Sequence, residues 1–139
     1  MKKTILLIDD DKYVPDLYIK ALKMNDFEVV HCRTPDDATK ELDARKNWPD
    51  LIILDLSMPP TGSLAKEDTL NGLATGVVYF PTLRKKRPKT PIVVLTNVLA
   101  EEIRSRLPTG ADGPSRIFHK LDYSPLDLPE QIVEVLAEQ

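Results

Sequence analysis

Five short apolar runs, at residues 4–8, 27–31, 51–54, 91–95 and 116–119, are separated by longer stretches whose apolar residues recur at helical spacing. A strand with both faces covered reads as a near-continuous apolar run, whereas a strand wet on one face alternates. Parallel neighbours cannot be joined by a tight hairpin and need a crossover, usually a helix, between them. The pattern predicts a doubly wound α/β fold, (βα)5, in which a five-stranded parallel sheet carries helices on both faces. The helices are expected over residues 12–24, 35–46, 70–86, 98–106 and 126–137.

Local chemistry supports several boundaries. Pro15 falls in a first helical turn, where its missing N–H costs nothing, and Thr34-Pro35-Asp36-Asp37 reads as an N-cap followed by proline and first-turn acids. Ile132, Val133, Leu136 and Ala137 give the last helix an apolar face. The third helix is the least regular, since Gly72, Gly76 and Pro81 fall inside it while Leu70, Leu73, Val77, Phe80 and Leu83 keep a stripe. An irregularity is expected near Pro81. No linker or low-complexity tract interrupts the chain, so residues 1–139 are expected to form one domain with no output module.

Charge and cysteine content narrow the function. With 139 residues and a formal net charge of -3, there is no general electrostatic reason to expect nucleic acid or an anionic membrane as partner. The single cysteine, Cys32, rules out an internal disulfide and suits the cytoplasm. The apolar run after Met1-Lys2-Lys3 stops at Asp9-Asp10-Asp11, too soon for an export signal, and no later run is long enough to span a bilayer.

In an open parallel sheet, loops at the carboxyl ends of the strands share one edge, and ligands bind where the strand order reverses. In a flavodoxin-like order, 2-1-3-4-5, strands one and three are neighbours at that point. Asp9, Asp10 and Asp11 follow the first run, Asp55 the third and Thr96 the fourth, and Lys120 ends the fifth. Three carboxylates from Asp9, Asp10 and Asp55 converging at ~5 Å would repel by roughly 3 kcal/mol per pair at an effective dielectric of 20. Such a cluster needs a cation, and an all-oxygen set without histidine or cysteine suits Mg2+. A lysine ammonium and a threonine hydroxyl are suited to phosphate oxygens. As a strand-end residue, Lys120 is expected to add little packing.

At these residues the chain resembles the response-regulator receiver family. The matching stretches are Ile5-Leu6-Leu7-Ile8-Asp9-Asp10, Leu51-Ile52-Ile53-Leu54-Asp55-Leu56-Ser57-Met58-Pro59, Val93-Val94-Leu95-Thr96-Asn97 and Phe118-His119-Lys120. The resemblance implies that Asp55 accepts a phosphoryl group from a phosphohistidine on a sensor kinase or histidine phosphotransfer protein. It implies that Asp9 and Asp10 are the acidic pair beside magnesium and that Ser57 supplies a backbone carbonyl to the metal. It further implies that Thr96 is the switch hydroxyl and Lys120 the phosphate-contacting lysine. The output would be a changed protein-binding surface for an unknown downstream protein, with autocatalytic phosphotransfer and dephosphorylation as the only chemistry.

The chain departs from the family at four places. Residues 60–69 are added before Leu70-Asn71-Gly72-Leu73 and are expected to form a mobile segment over the phosphoacceptor. Leu121 replaces a proline, Gly113-Pro114-Ser115 lengthen the approach to the last strand, and Ile117 replaces an aromatic three residues before the lysine. A phosphate-independent interaction domain is one alternative, and an aspartyl-nucleophile phosphatase is another. Ser57 stands where such phosphatases often carry a second carboxylate. Outside the site, His31 and His119 read as ordinary strand residues, and Arg84-Lys85-Lys86-Arg87-Pro88-Lys89 as a solvated helix end. Trp48 is expected to pack at a helix-to-strand turn, and Cys32 to be a buried small residue.

Overall fold

The computed structural model describes residues 2–11, 14–98 and 100–139. Strands β1 (Lys3–Ile8), β2 (Phe27–Cys32), β3 (Leu51–Leu54), β4 (Ile92–Thr96) and β5 (Arg116–His119) form one parallel sheet in the order β2-β1-β3-β4-β5. This is the doubly wound, flavodoxin-like (βα)5 arrangement expected from the run pattern. Between the strands lie α1 (Val14–Met24), α2 (Pro35–Ala44), α3 (Thr75–Lys86) and α4 (Glu101–Arg104), and α5 (Leu128–Ala137) follows β5. The first and fourth expected helices included Lys12, Tyr13 and Leu99, which lie outside the described residues.

Alternation along each strand divides the core into two layers. Leu6, Ile8, Ile52, Leu54, Ile92 and Val94 face Leu42 of α2, Phe80 and Leu83 of α3 and Ile103 of α4. Ile5, Leu7, Ile53, Val93 and Leu95 face Tyr18 and Leu22 of α1 and Ile132 and Val135 of α5. Most of these strand side chains are wholly inaccessible to water. Burying one aliphatic side chain of that size contributes roughly 1.5–3 kcal/mol, so the central strands supply much of the driving force for folding.

The register fixes the height of the functional edge. Ile8 lies opposite both Cys32 and Leu54, so β1 and β3 end abreast. The Asp55 amide continues the ladder by donating to the Ile8 carbonyl at 3.0 Å. On the other side Thr96 pairs with His119, and the Lys120 amide donates to the Thr96 carbonyl at 2.9 Å. Thr96 is thus the last residue of β4, and Lys120 the first beyond β5.

Helix α3 departs from the expected 70–86. It begins at Thr75, and residues 70–74 form a turn with Leu70 at φ 53°, Asn71 at φ 58° and Gly72 at φ 89°. This turn holds the segment after Asp55: the Met58 amide donates to the Gly72 carbonyl at 3.0 Å, and the Thr75 hydroxyl donates to the Met58 carbonyl. A Cβ on Gly72 would lie 2.9 Å from that same carbonyl oxygen, and φ 89° is a conformation that glycine adopts freely. Leu73 therefore leaves the expected stripe and is exposed. Downstream, α3 runs through Pro81 unbroken, although the imide nitrogen leaves the Val77 carbonyl without its helical donor. Helix α2 ends at Ala44 rather than 46, α4 is confined to one turn, and α5 starts at Leu128 rather than 126.

Residues 60–69 do not match the expected free segment. They contain a 3-10 turn, Gly62–Leu64, pinned to the start of α2 by Ser63, whose amide and hydroxyl donate to Asp36 at 3.1 and 2.6 Å. Leu64 packs into the core below, and Thr69 is buried. An apolar anchor and two hydrogen bonds to one carboxylate make the excursion a docked ledge.

Basic residues at the opposite edge are also more structural than expected. Arg84 donates to the carbonyls of Thr90, Asp112 and Gly113, and Arg87 to those of Leu42, Arg45 and Trp48. These two guanidinium groups tie loops together, whereas Lys86 pairs with Asp43 across the α2–α3 surface. Trp48 is half-buried between α2 and β3, as expected, with the Arg45 guanidinium 4.6 Å from its ring centroid. Among the described residues, no helix is long and apolar enough to cross a membrane.

Candidate functional site

Asp9, Asp10 and Asp55 converge at the carboxyl edge of β1 and β3, with one oxygen from each lying within 4.8 Å of the others. They line a depression of about 230 Å³ together with Asp11, Ser57, Asn97 and Lys120. The lysine reaches over from the end of β5, placing Nζ 2.8 Å from Asp9 Oδ2 and 3.0 Å from Asp55 Oδ2. Its side chain is only 7% exposed. The expectation that Lys120 adds little packing is therefore revised, because its stem and its charge are both shielded from water.

Each acid has a different environment. Asp55 and Asp9 are buried, whereas Asp10 stands at the rim. Burial pushes the Asp55 carboxyl above the usual carboxylate range; the Lys120 ammonium opposes this and the neighbouring Asp9 charge adds to it. The nearby Thr96 hydroxyl also favours the ionised form. For Asp10, burial and then the Asp9 charge act in the same upward direction. Burial works against protonated Lys120, yet the surrounding carboxylates, Asp55 first, outweigh it and raise its pKa. The upward shift of Asp55 despite an ion pair marks a cost of burial that the Lys120 ammonium does not offset.

Backbone amides hold the carboxylates in place. The Ser57 amide donates to Asp55 Oδ1 at 3.2 Å, leaving Oδ2 to Lys120, and the Asp11 amide donates to Asp9 Oδ1 at 3.0 Å. Thr96 is buried beside them, its Oγ1 accepting from the Val98 amide at 3.1 Å. All the residues singled out in the sequence, Asp9, Asp10, Asp55, Ser57, Thr96 and Lys120, thus lie at one edge of the sheet.

Gly76 has a structural task that the linear sequence does not show. Its absent side chain lets α3 lie against the end of β3: a Cβ there would sit 2.3 Å from the Asp55 carbonyl oxygen. The Gly76 amide also donates to the Leu56 carbonyl at 2.8 Å. A helical glycine looks unfavourable in a linear pattern, and nothing in that pattern points to the strand end it meets.

The divalent-cation reading fits this donor set. Three carboxylates and one ammonium leave two negative charges uncompensated when all four groups are ionised, and every candidate ligand is a hard oxygen. The fold and site agree with sequence comparison, in which the family model described as "Response regulator receiver domain" matches residues 5–113. The chain belongs to the response regulator receiver domain family.

This receiver is 30% identical over 140 residues to the phosphate regulon transcriptional regulatory protein PhoB of Klebsiella pneumoniae, and 28% identical over 139 residues to that of Escherichia coli K12. The alignments cover 98% of this chain and 52% of each PhoB, so the chain spans about half the length of these curated relatives. Among solved structures it is similar to a CheY-like response regulator receiver domain protein from Methanospirillum hungatei. That match has a TM-score of 0.78 at 22% identity and covers 99% of this chain and 96% of that one. A response regulator from Thermotoga maritima superposes with a TM-score of 0.73 at 16% identity, covering 99% of both chains. At these identities the structural matches establish the fold.

Proposed function

We propose that this receiver accepts a phosphoryl group on Asp55 from a phosphohistidine donor and passes the signal on through a changed protein-binding surface. The observation that carries the proposal is the contact of Lys120 Nζ with Asp55 Oδ2 at the centre of a three-carboxylate pocket. In this reading Asp55 attacks phosphorus as the bond to the donor imidazole nitrogen breaks, and the nitrogen keeps that electron pair. Lys120, already protonated, neutralises an oxygen of the arriving group, and the Thr96 hydroxyl, beside the same carboxylate, supplies a hydrogen bond. The Ser57 amide keeps the acceptor carboxylate from rotating away.

Asp9, Asp10, Asp55 and the Ser57 carbonyl are the groups proposed to hold magnesium. Bound there, the ion supplies charge screening between the phosphoryl oxygens and the carboxylates. A sensor kinase or a histidine phosphotransfer protein is the proposed donor. A protein target is favoured over nucleic acid, because the net charge is -3 and the two arginines of the basic run are engaged with backbone carbonyls. Ile117 is 39% exposed on β5, so the proposed switch works without an aromatic side chain at that position.

Beryllofluoride with magnesium mimics the phosphorylated acid and should shift the amide resonances of Asp55, Ser57, Thr96 and Lys120. A spectrum unchanged by the mimic would contradict the proposal. Steady turnover of an added phosphomonoester would favour the phosphatase alternative instead.

A further inference from the structure

The acidic loop is held from one side by the end of β2. The Asp9 amide donates to the Cys32 carbonyl at 3.1 Å, which extends the β1–β2 ladder one residue past the sheet. On the same residue, the Asp9 carbonyl lies 2.7 Å from His31 Nε2. A carbonyl oxygen only accepts, so this ring nitrogen carries the proton. The next carbonyl, that of Asp10, accepts from both Nε and Nη2 of Arg33 at 3.3 and 3.2 Å. Two successive carbonyls of the acidic pair are thus gripped by two side chains flanking Cys32.

We propose that His31 and Arg33 are positioning residues that hold the Asp9 and Asp10 backbone and thereby set how tightly the acidic pocket takes a divalent cation. The proposal rests on the magnesium reading given above. A carboxylate side chain is short, so a small rotation of its peptide moves the ligand oxygen by a comparable amount. Magnesium tolerates little departure from octahedral geometry. His31 is half-buried and its bond is short, whereas Arg33 is exposed, so the histidine carries the larger share. Neither residue is a ligand, and neither is expected to touch the phosphoryl group.

The test is magnesium titration of the parent, His31→Ala, His31→Gln, Arg33→Ala and Val30→Ala, with amide hydrogen exchange of each metal-free protein. Partners that touch a ligand side chain directly are worth about ten- to a hundredfold in affinity. A grip on the backbone should be worth less, so His31→Ala is expected to weaken magnesium roughly three- to tenfold, and Arg33→Ala by less. Glutamine at position 31 can still donate and should recover most of the loss. Val30→Ala removes packing from the same strand without touching the loop, and should lower stability with affinity unchanged. In the metal-free proteins, exchange at Asp9, Asp10 and Asp11 should rise several-fold in His31→Ala while core amides keep parental rates.

Parental affinity in both alanine variants would overturn the proposal, as would failure of glutamine to outperform alanine. A parent that binds no magnesium would sink the proposed function and withdraw the affinity claim with it. Exchange would then judge the grip alone, and parental rates at Asp9, Asp10 and Asp11 in His31→Ala would overturn that as well.

Discussion

Replacing Lys120 by methionine keeps most of the aliphatic stem and deletes the charge that lies 2.8 Å from Asp9 Oδ2 and 3.0 Å from Asp55 Oδ2. Because all three side chains are at most 7% exposed, the ammonium cannot be replaced by bulk water at no cost. Removing one partner of a buried pair typically costs about 3–5 kcal/mol. Proton uptake sets a ceiling on that cost. A carboxylate whose unfolded pKa is near 3.9 can be neutralised at pH 7 for about 4 kcal/mol, since about three pK units weigh 1.36 kcal/mol each. The expected loss is therefore about 3–4 kcal/mol at pH 7, and the same ceiling falls to about 1.5 kcal/mol at pH 5.

The direction follows from the parent, in which the carboxyls of Asp10 and Asp55 are already raised. A raised carboxyl binds its proton more tightly in the folded state, so stability is fullest below the unfolded pKa and is lost as pH rises through the folded one. Deleting Lys120 raises these groups further and steepens that fall. Urea unfolding followed by circular dichroism at pH 5 and pH 7 measures both values, and magnesium should restore part of the loss at pH 7. A loss below about 1 kcal/mol at pH 7, or an equal loss at both pH values, would refute the electrostatic argument.

Gly76→Ala should cost about 2–3 kcal/mol or more by urea unfolding, because its Cβ would lie 2.3 Å from the Asp55 carbonyl and 2.7 Å from Leu56 Cα. Ser63→Ala should raise the Asp36 pKa, which the Ser63 hydroxyl and then its amide hold down, as followed by carboxyl carbon resonances. Stability should change by less than about 1 kcal/mol, because that pair is exposed. Leu64→Ala, in contrast, should cost about 2–3 kcal/mol, since it removes the apolar anchor of the 60–69 ledge. Burial pushes the Cys32 thiol up to about 11. The native protein should therefore resist thiol reagents at pH 8 until urea unfolds it. Its thiol contribution to stability should be intact below about 8.5 and lost as pH climbs towards the folded value.

The sheet was legible in the sequence because burial on both faces leaves little choice of residue. Ile52, Ile53 and Leu54 are each wholly enclosed, and that enclosure is what a continuous apolar run records. Once strand order is inferred, the ends of β1, β3, β4 and β5 must share an edge, so Asp9, Asp55, Thr96 and Lys120 could be placed together without coordinates. The start of α3 was not legible. Leu70 and Leu73 fit a helical stripe, but the tie between Gly72 and Met58 pulls that stretch into a left-handed turn. A long-range hydrogen bond leaves no periodic trace. The same is true of the 60–69 segment, whose polar composition suggested mobility while one leucine and one Ser–Asp contact dock it. The apolar run puts His31 on a strand, yet its link to Asp9 depends on the pairing of β1 with β2, at a sequence separation that no local motif spans.

Intact-mass measurement after incubation with acetyl phosphate and magnesium tests the central claim most directly, comparing the parent with Asp55→Asn. The account predicts a single added phosphoryl group on the parent that disappears when magnesium is chelated before the incubation, and none on the variant. Equal labelling of parent and variant, or a parent that takes up no phosphoryl group while magnesium is present, would contradict it.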